Sequence, residues 1–476
     1  MTVRAPLAGL PYPRWRVFPP IALGVVMAAL DAMVVNIALP TLQRRFAVPF
    51  TTIEWVVLAY TVTITGLMLS AGRLADLRGR RGVYATGLVL FTLASLLCGL
   101  SPSVHVLIAA RVLQGVGGAL VSANGSALLV SAFPLEERGR ALGAFGAMVG
   151  VGLALGAPLG GLMIAHGSWR WIFLVNAPLG ALALALLFAR VPADRPAPAA
   201  PPLDLVAAAL WCGALASLML ALSRGPESGW AATAVVGLFI AAGLLLVLFS
   251  AAEARSSHPM LPLKILFGPL GAAVSLTLIG QAVTVSVGLQ VPLYLEEVLG
   301  YDAQRTGLWV AILPLAALLL APAAGQLADR FGARLLTAIG MGATAAGLAV
   351  LAGLRTTMAW PLPVGLLLVG AGQGLFSVPN ASALLSLVPH EQLGIASGLQ
   401  GTTRNLGLSG GAAFVGAALA SRYLAHAGRV LEGGSTPVDR IAFVAASHDA
   451  FVALTVIGLL GTLLAAMPRG RAVAAS

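Results

Sequence analysis

The sequence predicts an all-α polytopic membrane fold of fourteen helices, arranged as two six-helix bundles plus two inserted helices. Three features predict it: a composition that no water-soluble chain could bury, a series of lipid-length apolar stretches, and a loop motif that recurs 253 residues on. Apolar residues make up 59% of the 476, and charged residues only 9%. An ordinary soluble domain carries roughly 25% charged residues. Mean hydropathy is +0.94. A soluble fold cannot hide that much apolar surface, which excludes a cytosolic enzyme, a disordered chain and a secreted disulfide scaffold.

The net charge of +11 does not point to nucleic acid. Of the 28 basic residues, 27 are arginines scattered singly or in small groups between apolar runs, with Lys264 the one lysine. A nucleic-acid footprint needs a clustered basic face. Cys98 and Cys212 both sit in apolar runs and predict neither a disulfide framework nor a metal site, and the six histidines form no metal-like cluster. No metal and no cofactor is expected.

A helix needs about 20 apolar residues to cross lipid, because hydrocarbon cannot satisfy an exposed backbone. Candidates fall at 17–39, 53–72, 83–101, 104–130, 140–165, 171–190, 204–222 and 230–252, then at 267–292, 304–325, 334–353, 361–386, 394–420 and 449–467. The first follows Arg4, Arg14 and Arg16 like a signal peptide, but it runs too long and carries Asp31 and Asn36, so it reads as a retained span. With the N-terminus cytoplasmic, the inner loops and tails collect 17 basic residues and the outer loops 9, leaving Arg111 and Arg404 inside spans. The bias predicts a multi-pass protein of the cell membrane with both termini in the cytoplasm.

The chain also repeats itself. After the second span stands Gly72-Arg73-Leu74-Ala75-Asp76-Leu77-Arg78-Gly79-Arg80-Arg81, and after the tenth stands Gly325-Gln326-Leu327-Ala328-Asp329-Arg330-Phe331-Gly332-Ala333-Arg334. Both read G-x-L-A-D-x-x-G-x-R. A second pair follows in the same order: Asn124-Gly125-Ser126-Ala127-Leu128-Leu129 and Asn380-Ala381-Ser382-Ala383-Leu384-Leu385. Two matched pairs predict homologous halves, a transporter architecture with the substrate path where the halves meet. The halves are 1–190 and 266–476. Residues 191–265 are then a Pro-rich linker (Pro192 to Pro202) and inserted spans 7 and 8.

These residues resemble the major facilitator superfamily, and in particular its fourteen-span drug:proton antiporter subfamily, over essentially the whole chain. Gly72–Arg81 resembles the superfamily's most diagnostic loop. Leu30-Asp31-Ala32-Met33-Val34-Val35-Asn36-Ile37-Ala38-Leu39-Pro40 is similar to the subfamily's first-span signature, with Met33 where threonine is usual. Arg111-Val112-Leu113-Gln114-Gly115 resembles the fourth-span motif tied to proton coupling. Trp169 to Pro178 resembles the start of the sixth span. The antiporter motif of span 5 is approximated by Gly152, Gly156, Pro158, Gly160 and Gly161, its proline one residue late. The resemblance implies two bundles rocking about a central cavity, with export of a small amphipathic organic compound driven by protons. It also implies function as a monomer in the lipid bilayer.

Intramembrane charges are functional candidates by default, since an Asp at the bilayer centre costs about 2.5–3.5 kcal/mol. Asp31 lies about 12 Å from the outer end of span 1, and Arg111 roughly 9 Å into span 4 from the same side, at 1.5 Å per residue. Comparable depth permits contact. Burial favours the neutral form of a carboxylic acid and a nearby guanidinium favours the anion, a balance that hydration or substrate can tip. Asp31 is therefore the expected proton-coupling or substrate site and Arg111 its regulator, against the plainer reading of a polar contact that holds span 1. Asn36, Gln114, Arg404, Gln373 and Trp309 are candidate cavity residues, Gln373 having a depth similar to that of Arg404.

At the inner edge, Asp76 and Asp329 are placed to accept from helix N-terminal amides of the opposite half, at the residues just before Gly394 and Gly139. With Gly72, Gly79, Arg80, Arg81, Gly332 and Arg334 they form the expected conformational gate, although topology retention explains part of the arginine charge. The glycines of spans 4 and 5 recur at spacings that let helix backbones touch. Most tryptophans lie near span ends, as interfacial anchors do. Two rivals remain: a secondary transporter importing a metabolite, and an intramembrane enzyme or sensor. The enzyme reading lacks paired catalytic carboxylates, HExxH and a nucleophile–His pair.

Overall fold

The computed structural model describes residues 14–134, 137–192, 204–256, 261, 268–356, 360–428 and 439–467. No strand occurs among the described residues. Most of the expected Pro-rich linker, both chain ends and Lys264 lie outside them.

The helices follow the apolar stretches closely. They are α1 (Phe18–Phe46), α2 (Trp55–Arg78), α3 (Arg80–Leu100), α4 (Val104–Ser131), α5 (Arg138–His166), α6 (Asn176–Arg190), α7 (Leu205–Ser228) and α8 (Thr233–Arg255). The second set is α9 (Pro269–Leu293), α10 (Ile312–Phe331), α11 (Ala333–Ala352), α12 (Pro361–Ser386), α13 (Leu393–Ala427) and α14 (Arg440–Ala466). A short helix, Ala303–Val310, leads into α10, and the turn Trp171–Leu174 leads into α6.

Among the described residues, 13 helices are long and apolar enough to cross a membrane. The count departs from the expected fourteen at the 394–420 stretch. That stretch is helical, within the 35 residues of α13, but Gln400, Thr402, Thr403, Arg404, Asn405 and Ser409 dilute its apolar character. The last span also begins earlier than expected, at Arg440 instead of 449, because Asp439 caps the helix by accepting from the amides of Ile441 and Ala442.

The chain forms two compact units. Unit 1 contains Met1–Leu220, Leu238–Leu263 and Leu385–Thr402; unit 2 contains Ala221–Gly237, Lys264–Leu384 and Thr403–Ser476. In unit 1, α3 and α2 pack on α4, and α5 packs along α1. In unit 2, the main pairing is α11 with α14.

The α1–α5 contact shows why glycine recurs at every fourth position. A Cβ built on Gly152 would lie 2.8 Å from the Val26 carbonyl oxygen, one on Gly156 2.5 Å from Met33 Cβ, and one on Gly160 3.2 Å from Val34 Cγ1. Gly161 faces open space, so it does not belong to this seam. Pro158 sits inside α5 on its exposed side, and the helix runs through it. We expect Gly156→Ala to lower the apparent unfolding temperature of the detergent-purified protein, since overpacking costs about 1–3 kcal/mol. Gly161→Ala should leave it unchanged.

The repeated loop folds alike in both units. Gly79 (φ 97°) and Gly332 (φ 87°) adopt the backbone region that glycine tolerates best, and each donates its N–H to the carbonyl of the alanine four residues earlier, Ala75 and Ala328. The matched arginines are also used alike. Arg81 donates to the Phe188 carbonyl at 3.3 Å in the last turn of α6, and Arg334 donates to the Ala466 carbonyl at the end of α14. Each cation meets the negative end of its unit's helix.

A buried acid–guanidinium cluster as candidate functional site

The candidate site lies wholly in unit 1 and draws on α1, α3, α4 and the start of α6. On α4, Arg111 and Gln114 are three residues apart and therefore share a face. That face meets Asp31 of α1. Arg111 Nη1 donates to Asp31 Oδ2 at 2.6 Å, and Gln114 Nε2 donates to Asp31 Oδ1 at 2.9 Å. The contact that comparable depth permits is formed.

Arg111 is held on every side. Its Nε donates to the Val56 carbonyl in the first turn of α2 at 2.9 Å, and its Nη1 also donates to Gln114 Oε1 at 2.7 Å. The guanidinium carbon stands 4.2 Å from the centre of the Tyr60 ring, a cation–π arrangement. Asp31, Gln114, Ser95 and Asn176 are fully buried and Arg111 is 1% exposed.

Two residues of the cluster were not singled out from sequence. Asn176, the first residue of α6, donates to Asp31 Oδ1 at 3.2 Å and to Ser95 Oγ at 2.9 Å. Ser95 Oγ in turn donates to the Phe173 carbonyl at 2.9 Å. Ser95 thereby links α3 to the turn that precedes α6. Asp31 has one cationic and two amide donors, so its anion is well solvated by protein while water is excluded.

The other candidates separate from this cluster. Asn36 is exposed and donates to Ala32 of its own helix at 2.7 Å, a local bond that leaves it outside the Asp31 network. Trp309 packs at the edge of the unit 2 apolar cluster around Tyr294, Leu313 and Leu354, as a core residue does. Gln373 is buried on α12, and its Nε2 has no hydrogen-bond partner. Arg404 lies half-buried on α13.

At the other end of α2, Asp76 behaves as its loop predicts, with one refinement. Its side chain is 1% exposed and pairs with Arg80 at 2.9 Å. Oδ1 accepts from the Gly394 amide at 2.9 Å and Oδ2 from the Ile395 amide at 3.0 Å. The recipients are thus Gly394 and the residue after it, because α13 begins at Leu393 and its first-turn amides lack helical partners. A Cβ on Gly72 would collide with the Gly394 carbonyl, and one on Gly398 with that of Met68. Ser126 Oγ and Ser397 Oγ meet at 2.5 Å. Asp329 is half-buried at the end of α10.

A profile described as Major Facilitator Superfamily matches residues 21–412. The chain belongs to the major facilitator superfamily. This transporter is 37% identical over 402 residues to the multidrug resistance protein Stp of Mycobacterium tuberculosis, covering 84% of the chain and 74% of Stp. It is 36% identical over 405 residues to the puromycin resistance protein pur8 of Streptomyces alboniger, covering 83% and 79%. In fold it is similar to the crystal structure of the human organic anion transporter MFSD10, with a TM-score of 0.68 at 16% identity and coverage of 95% and 100%. These findings make the protein a multi-pass membrane transporter rather than an enzyme.

Proposed function

We propose that this transporter is a proton-coupled antiporter of the fourteen-span subfamily, exporting amphipathic organic compounds by alternating access. It acts in the cell membrane as a monomer, with both termini cytoplasmic and the proton gradient as its energy source, without a cofactor. The observation that carries this reading is a carboxylate with no solvent exposure, at membrane depth, bound to one guanidinium and two side-chain amides.

Such a group can take one proton and lose its charge. Protonation of Asp31 removes the ionic part of its 2.6 Å bond to Arg111 and leaves the guanidinium with Val56, Gln114 and the Tyr60 face. Arg111 then exerts a changed pull on α2, and deprotonation restores the pair. The Asp76 contact with Gly394 and Ile395 serves as a gate that forms in one access state and breaks in the other. Export and substrate class draw support from the names of the relatives, which are resistance proteins at similar identity.

The test is expression in an efflux-deficient host with a panel of dyes and drugs. Accumulation should fall on expression, and a protonophore should restore it. In inverted vesicles the same compounds should accumulate when a proton gradient is imposed. Gradient-driven loss from those vesicles would instead establish uptake.

A further inference from the structure

At the end of unit 1 where α1 gives way to α2, a cavity of about 340 Å³ opens between the last turns of α1 and the connection from α5 to α6. Thr41, Arg45, Ser168, Trp169 and Arg170 line it. Two of its residues are cations and none is an acid. Neither Arg45 nor Arg170 joins an ion pair among the described residues.

Arg170 is the more telling of the two. Its Nη1 is buried without a hydrogen-bond partner, and its Nη2 makes only a long bond, 3.4 Å, to the Ser101 carbonyl. Its guanidinium rests 4.5 Å from the centre of the Trp169 ring, which fixes the plane of the fork. Ser168 Oγ accepts from the Arg170 amide at 3.3 Å, so its proton remains available to donate.

A plainer account covers Arg45 in part. A cation in the last turn of α1 meets the negative end of the helix dipole. Arg44, exposed like Arg45, shows what that role looks like: its Nε donates to the Pro40 carbonyl of its own helix at 3.3 Å. The account does not extend to Arg170, which belongs to the connection before the turn Trp171–Leu174, nor to the buried, unpartnered Nη1.

We propose that this cavity is an oxyanion site that takes a phosphate group, from an anionic phospholipid headgroup or from free phosphate. Guanidinium forks match phosphate oxygens in geometry as well as charge, and the Thr41 and Ser168 hydroxyls add donors around the same volume. The cavity is at the small end of the ~300–1,000 Å³ range of ligand sites, a size suited to a headgroup. The neighbouring Trp171 is 56% exposed, and tryptophans at span ends are the residues that anchor at headgroup level.

The test is thermal unfolding of the purified full-length transporter in detergent, with phosphatidylglycerol, phosphatidylcholine or inorganic phosphate added. Wild type is compared with Arg45→Gln and with Arg44→Gln, which removes the same charge one residue outside the cavity. Phosphatidylglycerol should raise the unfolding temperature of wild type and of Arg44→Gln, and the rise should vanish in Arg45→Gln. The same pattern with inorganic phosphate alone assigns the free anion as the source. Arg170→Gln should lose the rise as well; if it does not fold, Arg45→Gln decides. The proposal is overturned if neither phosphate stabilises wild type, if phosphatidylcholine does so equally, if the rise survives in Arg45→Gln, or if Arg44→Gln abolishes it too.

Discussion

Asp31→Asn is expected to abolish proton-driven export while leaving membrane insertion intact, at the stability cost of unpairing the buried Arg111. The substitution keeps the volume of the side chain, and an amide oxygen in place of Oδ1 can still accept from Gln114 and Asn176. What it removes is the carboxyl and the charge opposite Arg111. The measurement is dye accumulation in inverted vesicles energised by a pH gradient, with membrane-protein yield as the control for insertion. Gradient-driven accumulation at the wild-type rate in Asp31→Asn would end the proposed role of this carboxyl.

The second large effect is on stability. Arg111→Ala leaves the Asp31 carboxylate buried without its counter-charge, and removing one partner of a buried pair costs about 3–5 kcal/mol. It also removes the guanidinium bonds to the Val56 carbonyl and to Gln114 Oε1, leaving the latter with only the weak Cys98 thiol donor at 3.5 Å. Low yield and early thermal unfolding in detergent should follow. Combining Arg111→Ala with Asp31→Asn should recover part of that stability without restoring transport. Arg111→Lys should fail as well, because a single ammonium cannot reach Val56, Gln114 and Asp31 together while resting on the Tyr60 face. Equal stability of Arg111→Ala and wild type would show that the pair is not a structural keystone.

Much of this was legible in the sequence because lipid makes simple demands. Apolar length located the helices, although α1, α2 and α13 run six or seven residues past their apolar stretches and a cap such as Asp439 started one early. The cost of burying charge singled out Asp31 and Arg111, and the resemblance of the fourth-span motif added Gln114. Asn176 and Ser95 escaped because neutral polar residues in apolar helices are too common to signal by themselves. Their importance comes from α6 and α3 meeting at one point, which no local pattern encodes. Asn36, five residues after Asp31, stays outside the network because its amide donates to its own helix. The polar stretch in α13, which dilutes its apolar character, is also where Gly394, Gly398 and Thr402 seat against α2. Polarity there reflects packing against protein.

The bond from Arg111 to the Val56 carbonyl has a mechanical consequence. Val56 and Asp76 lie on one uninterrupted helix, twenty residues apart, or ~30 Å along its axis. The acid–guanidinium pair grips one tip of this rod, and the carboxylate that clasps the α13 amides rides on the other. A tug on the first tip would then be felt at the second without any relay of intervening side chains. Stiffness of a single strut, from Tyr60 through Gly72, would then decide how faithfully chemistry at one end becomes motion at the other.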